Sequence, residues 1–452
     1  MKNKLTPSAY FFVGSMLFGL FFGAGNLIFP VHMGQEAGSQ VFAATIGFII
    51  TATGLPFLGV LAIGMSDVGS LLGLSSRIGK KWGYFFTILL YMTIGPFFAL
   101  PRTATVSYEI GFSLSMPLKW QKPGLFLFTL VFFGIALFFS LRPGKLLIWV
   151  GKVLNPLFLI FLSALIIISI VNPMGMVGDA FVSAPYTQDA FFRGFTEGYH
   201  TMDALASLAF GVLVIDALRG LGITDRKEIA LSTVKAGFVS VLLMVVIYSC
   251  LSYMGAMSIG QLALSENGGI ALAQIARYYF GSLGSILLAL IVTLACLKTA
   301  IGLITACAET FVEMFPNSFS YPKYVVIFTL LGNVIANIGL TQIIRLSIPV
   351  LMFLYPLAMV LILLSLFSQF FVNSRIIYIT TTITTAVFSI GDALAAMPES
   401  VRILRPVNEV LNLYSKMPFF RFGMAWVPPA ATGFLIGLAI YLLRRMKTEP
   451  VC

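Results

Sequence analysis

The side chains of this chain that can do chemistry are few, and they stand inside apolar runs. Asn26 lies in "FFGAGNLIFP" (residues 21–30), beside Gly23, Ala24 and Gly25. Asp203, Ser207 and Asp216 mark "TMDALASLAFGVLVIDALRG" (residues 201–220), which carries Phe210 and Gly211 near its centre. Lys298 and Thr299 share "LACLKTAIGLITACAETF" (residues 294–311), and Arg102 and Glu109 lie in "YMTIGPFFALPRTATVSYE" (residues 91–109). A membrane-embedded enzyme would need a catalytic or metal cluster, and these residues do not make one. The two histidines, His32 and His200, are far apart in sequence and have no ligand motif nearby. Cys250, Cys296 and Cys307 lie in apolar segments and Cys452 is terminal, so no disulfide framework is implied. The chain reads as no enzyme, with no cofactor and no metal beyond a possible Na+.

The elements that carry these residues are membrane helices. Of 452 residues 59% are hydrophobic and 10% charged, where soluble domains carry about 25% charged residues; the mean hydropathy is +0.98. The start, "MKNKLTPSAYFFVGSMLFGL", imitates a signal peptide but ends in no small-residue cleavage site, and is read as a retained first helix. A span needs about 20 mostly apolar residues. About twelve segments qualify, near residues 8–31, 40–64, 82–110, 123–141, 146–171, 196–219, 229–256, 282–313, 322–341, 343–371, 375–396 and 424–443. The stretch 269–281 is too short to cross and is expected on the surface or packed against the bundle. Residues 397–422 are read as an outer amphipathic helix, from the spacing of Val401, Leu404, Val407, Val410 and Leu411, with a gate as the alternative.

Loop charge sets the orientation. With the N-terminus inside, the inner loops hold about twice the Lys and Arg of the outer loops. Lys2, Lys4, Lys145, Lys152 and Arg219 belong to the inner set; Arg402, Arg405, Lys416 and Arg421 belong to the outer. Both termini are therefore expected in the cytoplasm. Topology and membrane lipid account for the net charge of +11, and no nucleic acid is needed.

Interruptions inside the spans are informative because polar groups in hydrocarbon are costly and face cavities or pathways. From Ser8 to Phe22 a helix rises about 22 Å, so the break at Gly23–Gly25 falls near the midplane. Broken helices there free backbone carbonyls for cations and amides for anions. Close packing through small residues is the alternative, though packing does not ask for Asn26. A matching break is expected in the sixth segment at Phe210–Gly211, since paired interruptions in corresponding positions mark a binding site. The third segment is expected to kink at Pro96 and Pro101, and Glu109 meets Arg102 only if the backbone bends.

"FGLFFGAGNLIFP", "GPFFALPRTATVSYE", "RPGKLL", "TMDALASLAFGVLV" and "ACLKTAIGLITACAE" together resemble the bacterial branched-chain amino acid:cation symporter family, in order and over essentially the whole chain. That family is similar to the wider amino acid, polyamine and organocation superfamily. The resemblance implies an all-α, leucine-transporter-type fold with helices 1 and 6 discontinuous: inverted five-helix repeats at 1–171 and 172–371, then two further helices at 372–452. It implies import of leucine, isoleucine or valine across a bacterial cytoplasmic or inner membrane, coupled to sodium or protons by alternating access. By the same resemblance Gly23, Ala24, Gly25, Ser207, Phe210 and Gly211 would meet substrate. Gly19, Phe22, Asn26 and Thr299 would serve a cation, with Asn26 either giving its amide oxygen to the ion or orienting the loop. Lys298 and Asp216 depart from the family's pattern. They would neutralise each other if helices six and eight face one another, or Lys298 would take the place of sodium and couple transport to protons. The alternative cargo is another amino acid or an organic cation, for which Asp203, Asp216 and Glu309 are the candidate acids. Oligomeric state is not legible.

Overall fold

The structure is a computed structural model describing residues 6–66, 68–113, 116–142, 155–223, 225–372 and 374–448. Lys2, Lys4, Lys145, Lys152, Cys452 and the start of the fifth expected segment (146–154) lie outside the described residues.

The first apolar run starts where the Thr6 hydroxyl accepts from the Ala9 N–H at 3.3 Å and Pro7 takes the first helical position. α1 (Pro7–Phe21) stops at Phe22 and Gly23, both extended, and α2 (Ala24–Ala37) resumes. The expected break is present. A straight helix over the apolar stretch Ala24–Met65 would rise about 63 Å, twice the thickness of a bilayer core. The chain instead turns at Gly38 (φ 49°, ψ −124°), so α2 and the pair α3 (Val41–Ile49) and α4 (Leu55–Met65) are separate passes.

A short α5 (Leu71–Ser75) leads to α6 (Lys80–Met92). Its span continues through a wide turn, Thr93–Phe97, into α7 (Ala99–Tyr108). Gly95 is non-helical there (φ −85°, ψ −125°), directly before Pro96. The third segment therefore bends at Pro96 as expected, since proline removes a helical donor and crowds the preceding turn, while the kink expected at Pro101 is absent because that residue lies in the first turn of α7, where no helical donor is needed. α8 (Leu118–Ser140) and α9 (Asn155–Val171) follow.

The sixth span is broken elsewhere than expected. α10 (Ala190–Glu197) and the turn Gly198–Thr201 run into Met202, which is left-handed (φ 63°, ψ 10°), and α11 (Asp203–Gly220) leaves at 45°. Phe210 and Gly211 lie mid-way along an uninterrupted α11. The break at Phe210–Gly211 is thus corrected to Met202: a lone glycine is tolerated inside a packed helix, whereas Asp203 in the first turn is a helix-start signal.

α12 (Arg226–Ser258) is capped by the Asp225 carboxylate, which accepts from the Glu228 N–H at 3.1 Å. α13 (Gly268–Met314) is capped by Asn267 Oδ1, which accepts from the Gly269 and Ile270 N–H groups. Residues 269–281 form the first part of α13 and pack into the bundle, with Ala271, Leu272, Ile275 and Ala276 fully buried. They end at Gly281, which adopts φ 64°. α14 (Tyr321–Ala336), α15 (Leu340–Leu366), α16 (Arg375–Ala395), the short α17 (Glu399–Arg402), α18 (Arg405–Tyr414) and α19 (Val427–Thr448) complete the order. On α18 Val407 and Leu411 are half-buried and Val410 is exposed, as is Leu404 just before it.

Among the described residues eight helices are long and apolar enough to cross a membrane, nine with α10–α11 taken as one broken span, and the shorter apolar stretches Pro7–Phe21, Leu159–Val171 and Tyr321–Ala336 fall in the first, fifth and ninth expected segments. The broken spans sit at the centre. α1 and α2 pack on α12, α2 also on α13, α10 on α3, and α11 on α4. α2 approaches α12 so closely that a Cβ at Gly255 would strike the Val31 carbonyl; such small-residue contacts replace the hydrophobic drive that hydrocarbon cannot supply.

Candidate functional site

The two breaks meet. At the first, the Phe22 N–H still donates to Phe18 O at 2.7 Å, but the Gly23 N–H donates to Asn26 Oδ1 at 2.9 Å. It turns away from the Gly19 carbonyl that a continuous helix would give it. Asn26 Nδ2 reaches across to the second break, donating to Asp203 Oδ2 at 2.5 Å and to the Tyr248 hydroxyl. Tyr248 in turn donates to Asp203 Oδ2 at 3.1 Å. Asn26 is 2% exposed and Asp203 3%. One amide thus clamps the first break and ties it to the first turn of α11, and its oxygen is already an acceptor within the loop. Of the two roles open to Asn26, this geometry supports orienting the loop.

Between the breaks lies a cavity of about 50 Å3. Gly23, Ala24, Gly25 and Asn26 form one wall, with Leu20 and Phe21 below; Thr201, Met202, Asp203 and Phe210 form the opposite wall. Thr299 and Leu303 of α13, with Ile94, Ala99 and Thr103 of the bent third span, close the sides. A Cβ at Gly23 would lie 3.3 Å from the Thr299 methyl and 3.4 Å from its hydroxyl, so Thr299 abuts the break. The Thr299 hydroxyl donates to Ala295 O at 3.2 Å, which leaves its lone pairs as acceptors.

Arg102 also lines this cavity and is 2% exposed. Its Nη1 donates to His200 O at 2.5 Å, its Nη2 to Ser347 Oγ at 3.4 Å, and its guanidinium lies 4.8 Å from the centre of the Phe29 ring. The bend at Gly95 is upstream of Arg102 and turns its side chain to the sixth span, away from the Glu109 pairing considered above. The site thus carries one cation and one anion of its own.

Of the expected site residues, the structure brings together Gly23, Ala24, Gly25, Asn26, Phe210 and Thr299, with Gly19 and Phe22 next to the break. Ser207 and Gly211 are elsewhere. Ser207 Oγ donates to Ala204 O at 2.7 Å and presses on Gly59, and a Cβ at Gly211 would meet Ile63 at 3.0 Å. Both belong to the α11–α4 packing face. The expected neutralisation of Lys298 by Asp216 is also corrected. Asp216 faces outward, 59% exposed, and pairs with Arg219 at 3.5 Å one turn along α11. Lys298 is on α13 beside Thr299 but is not among the residues lining the cavity.

Over residues 7–444 the sequence matches the profile of the family described as the branched-chain amino acid transport protein. The chain belongs to that family. It is 47% identical over 438 residues to the branched-chain amino acid permease BrnQ of Lactobacillus delbrueckii subsp. lactis, covering 96% of this chain and 97% of the relative. Two solved structures share the fold. One is Mhp1, a nucleobase-cation-symport-1 family transporter in a closed conformation, with TM-score 0.60 at 15% identity, covering 99% of this chain and 97% of the other. The second is MhsT in complex with L-phenylalanine, with TM-score 0.56 at 15% identity, covering 98% and 99%. The architecture of the family member described here is accordingly the leucine-transporter type, all-α with helices 1 and 6 discontinuous.

Sequence reasoning gave no site role to Arg102 or Tyr248, and considered Asp203 only as an acid for an organic-cation cargo. For Arg102 and Asp203 the signal was available: a charge inside an apolar span faces a cavity by default. Tyr248 sits in an ordinary apolar helix and carries no such mark.

Proposed function

We propose that the chain imports leucine, isoleucine and valine across the bacterial cytoplasmic membrane by alternating access, coupled to a gradient of Na+ or H+. The observation that carries the reading is the small cavity between two helix breaks, lined by the polar groups of Asn26, Arg102 and Asp203 and by the apolar side chains of Phe210, Leu20 and Leu303. Family membership supports the cargo. A water takes about 10–15 Å3 in the same measure of volume, so the cavity holds a few waters and is too small for leucine until its helices part. Helices that part to admit the cargo and come together around it are what alternating access requires.

An organic dication is a poor fit. Of the candidate acids, Asp216 is outward on α11 and Glu309 is outside the cavity lining. Asp203 is offset by Arg102 on the same cavity. The Gly19 and Phe22 carbonyls with the Thr299 hydroxyl are our candidate for the Na+ site, and Lys298, one residue away, is the candidate for proton coupling.

The test is leucine uptake into proteoliposomes with sodium and pH gradients imposed separately, and competition by valine, isoleucine, alanine and spermidine. Inhibition by valine and isoleucine but not spermidine is expected. Absence of inhibition by valine refutes the cargo, and full sodium dependence at zero pH gradient refutes a proton-coupling role for Lys298.

A further inference from the structure

We propose that Arg102 and Asp203 form a charge-matched clamp for the two ends of an amino acid zwitterion, Arg102 with the amino end of α2 taking the carboxylate and Asp203 taking the ammonium. This assignment rests on the reading of the cavity as an amino acid site and extends it from backbone to side chains.

Three observations place an anion at Arg102. First, the guanidinium is held in position on three sides: the His200 carbonyl takes Nη1, the Ser347 hydroxyl takes Nη2, and the Phe29 ring supports its face. Second, Nε–H of Arg102 is buried and meets no acceptor. A buried donor without an acceptor costs free energy, more so on a charged group, and nothing in the fold requires it to be left that way. Third, the guanidinium lies against the first turn of α2, where a Cβ at Gly25 would be 3.6 Å from Nη1. The N–H groups of that turn have no intrahelical partner and carry the positive end of the helix dipole. Ala24 and Gly25 line the cavity there with no side chain large enough to screen them. A planar fork and a helix amino end together fit a carboxylate, which accepts from both.

Asp203 supplies the opposite charge. It borders the same cavity, and its hydrogen bonds from Asn26 and Tyr248 both fall on Oδ2. These donors hold the carboxylate in place. Arg102 and Asp203 do not pair with each other: the first is bonded to His200 and Ser347, the second to Asn26 and Tyr248. Two opposite charges held apart on one cavity, each tied to separate protein groups, are the complement of a zwitterion whose charges are also held apart. A buried guanidinium with a donor left unmet is expensive in a membrane, and the substrate carboxylate would satisfy it.

The experiment measures binding to the purified full chain by the shift in its melting temperature, titrated with leucine, leucinamide (no carboxylate) and 4-methylpentanoate (no ammonium). Midpoint concentrations give the affinity ratios. In Arg102→Gln the preference for leucine over leucinamide should fall about 100-fold, the size of effect seen when one partner of a buried charge pair is truncated. Arg102→Lys keeps charge and bulk but loses the fork, and should lose about 10-fold of the same ratio. Asp203→Asn should weaken leucine and leucinamide alike and leave 4-methylpentanoate unchanged. A role confined to supporting the fold would lower melting temperatures without moving these ratios. An unchanged leucine-to-leucinamide ratio in Arg102→Lys overturns the clamp even if Arg102→Gln does not fold. The transport reading is tested separately by the wild-type chain. If another α-amino acid stabilises it and leucine, isoleucine and valine do not, the cargo is wrong, and the clamp is then judged with that amino acid and its amide.

Discussion

Asn26 is the residue on which the site turns. An asparagine amide in hydrocarbon is tolerable only with its hydrogen bonds made, and here both ends are used: the oxygen caps the break at Gly23 and the nitrogen holds Asp203 and Tyr248. Replacing Asn26 with alanine leaves the Gly23 N–H and a buried carboxylate without that partner. A loss of about 2 kcal/mol of stability is expected, read as a lower melting temperature, together with loss of leucine uptake. Gly25 is a second test at this scale. Its missing side chain leaves Phe29 at 3.2 Å and Arg102 Nη1 at 3.6 Å from where a Cβ would stand, so Gly25→Leu must displace both. Uptake should be abolished while the protein still inserts and elutes as a folded species; uptake near the wild-type rate would contradict the placement of the site. In the sequence, Asn26 was conspicuous because its polarity violates its surroundings. Its partners were not, because a contact between residues 26, 203 and 248 depends on how separate helices assemble and leaves no trace in local spacing.

At the scale of elements, the breaks differ in how they declare themselves. The first is written in glycine, at residues where extended backbone costs little. The second is carried by Met202, a side-chain-bearing residue in the left-handed region at a cost of about 1–2 kcal/mol, which the surrounding packing must offset since Met202 is 1% exposed. Gly211 drew attention because glycine is the usual sign of unwinding, yet its role is to let α11 approach Ile63 of α4. These two accounts of Gly211 make different predictions for Gly211→Ala. As a hinge, the residue would lose transport on substitution. As a packing contact it should keep leucine uptake within a few-fold of wild type, because alanine gains about 1 kcal/mol of helix propensity against a comparable cost of pushing Ile63 by a few tenths of an ångström. Gly281 is the converse case. Nothing lies within 4 Å of its Cβ position, but φ is 64°, so Gly281→Ala should lower stability by about 1 kcal/mol from backbone strain alone. Its leucine affinity should stay unchanged, since the position is outside the cavity lining.

At the scale of the whole molecule, the spans and their bends were legible because a bilayer imposes length and apolarity on every pass, and proline or glycine marks most departures. The direction in which the bundle sits across the membrane rests on the distribution of Lys and Arg alone. From that distribution the α17–α18 segment, with Arg405 and Glu409, is expected outside, and the carboxyl end of α11, with Arg219, in the cytoplasm. Both places present accessible side chains: Glu409 is 66% exposed and Arg219 58%. Cys296 and Cys307 are buried and Cys250 is half-buried, so once the terminal Cys452 is replaced by serine, cysteines introduced at the surface can be read above a low background. Glu409→Cys should react with a membrane-impermeant maleimide on intact cells. Arg219→Cys should react only after the membrane is opened. The reverse pattern would invert the bundle, and with it the face from which the cavity first loads, because α1 rises from the side that holds Arg219 to meet the break at Gly23.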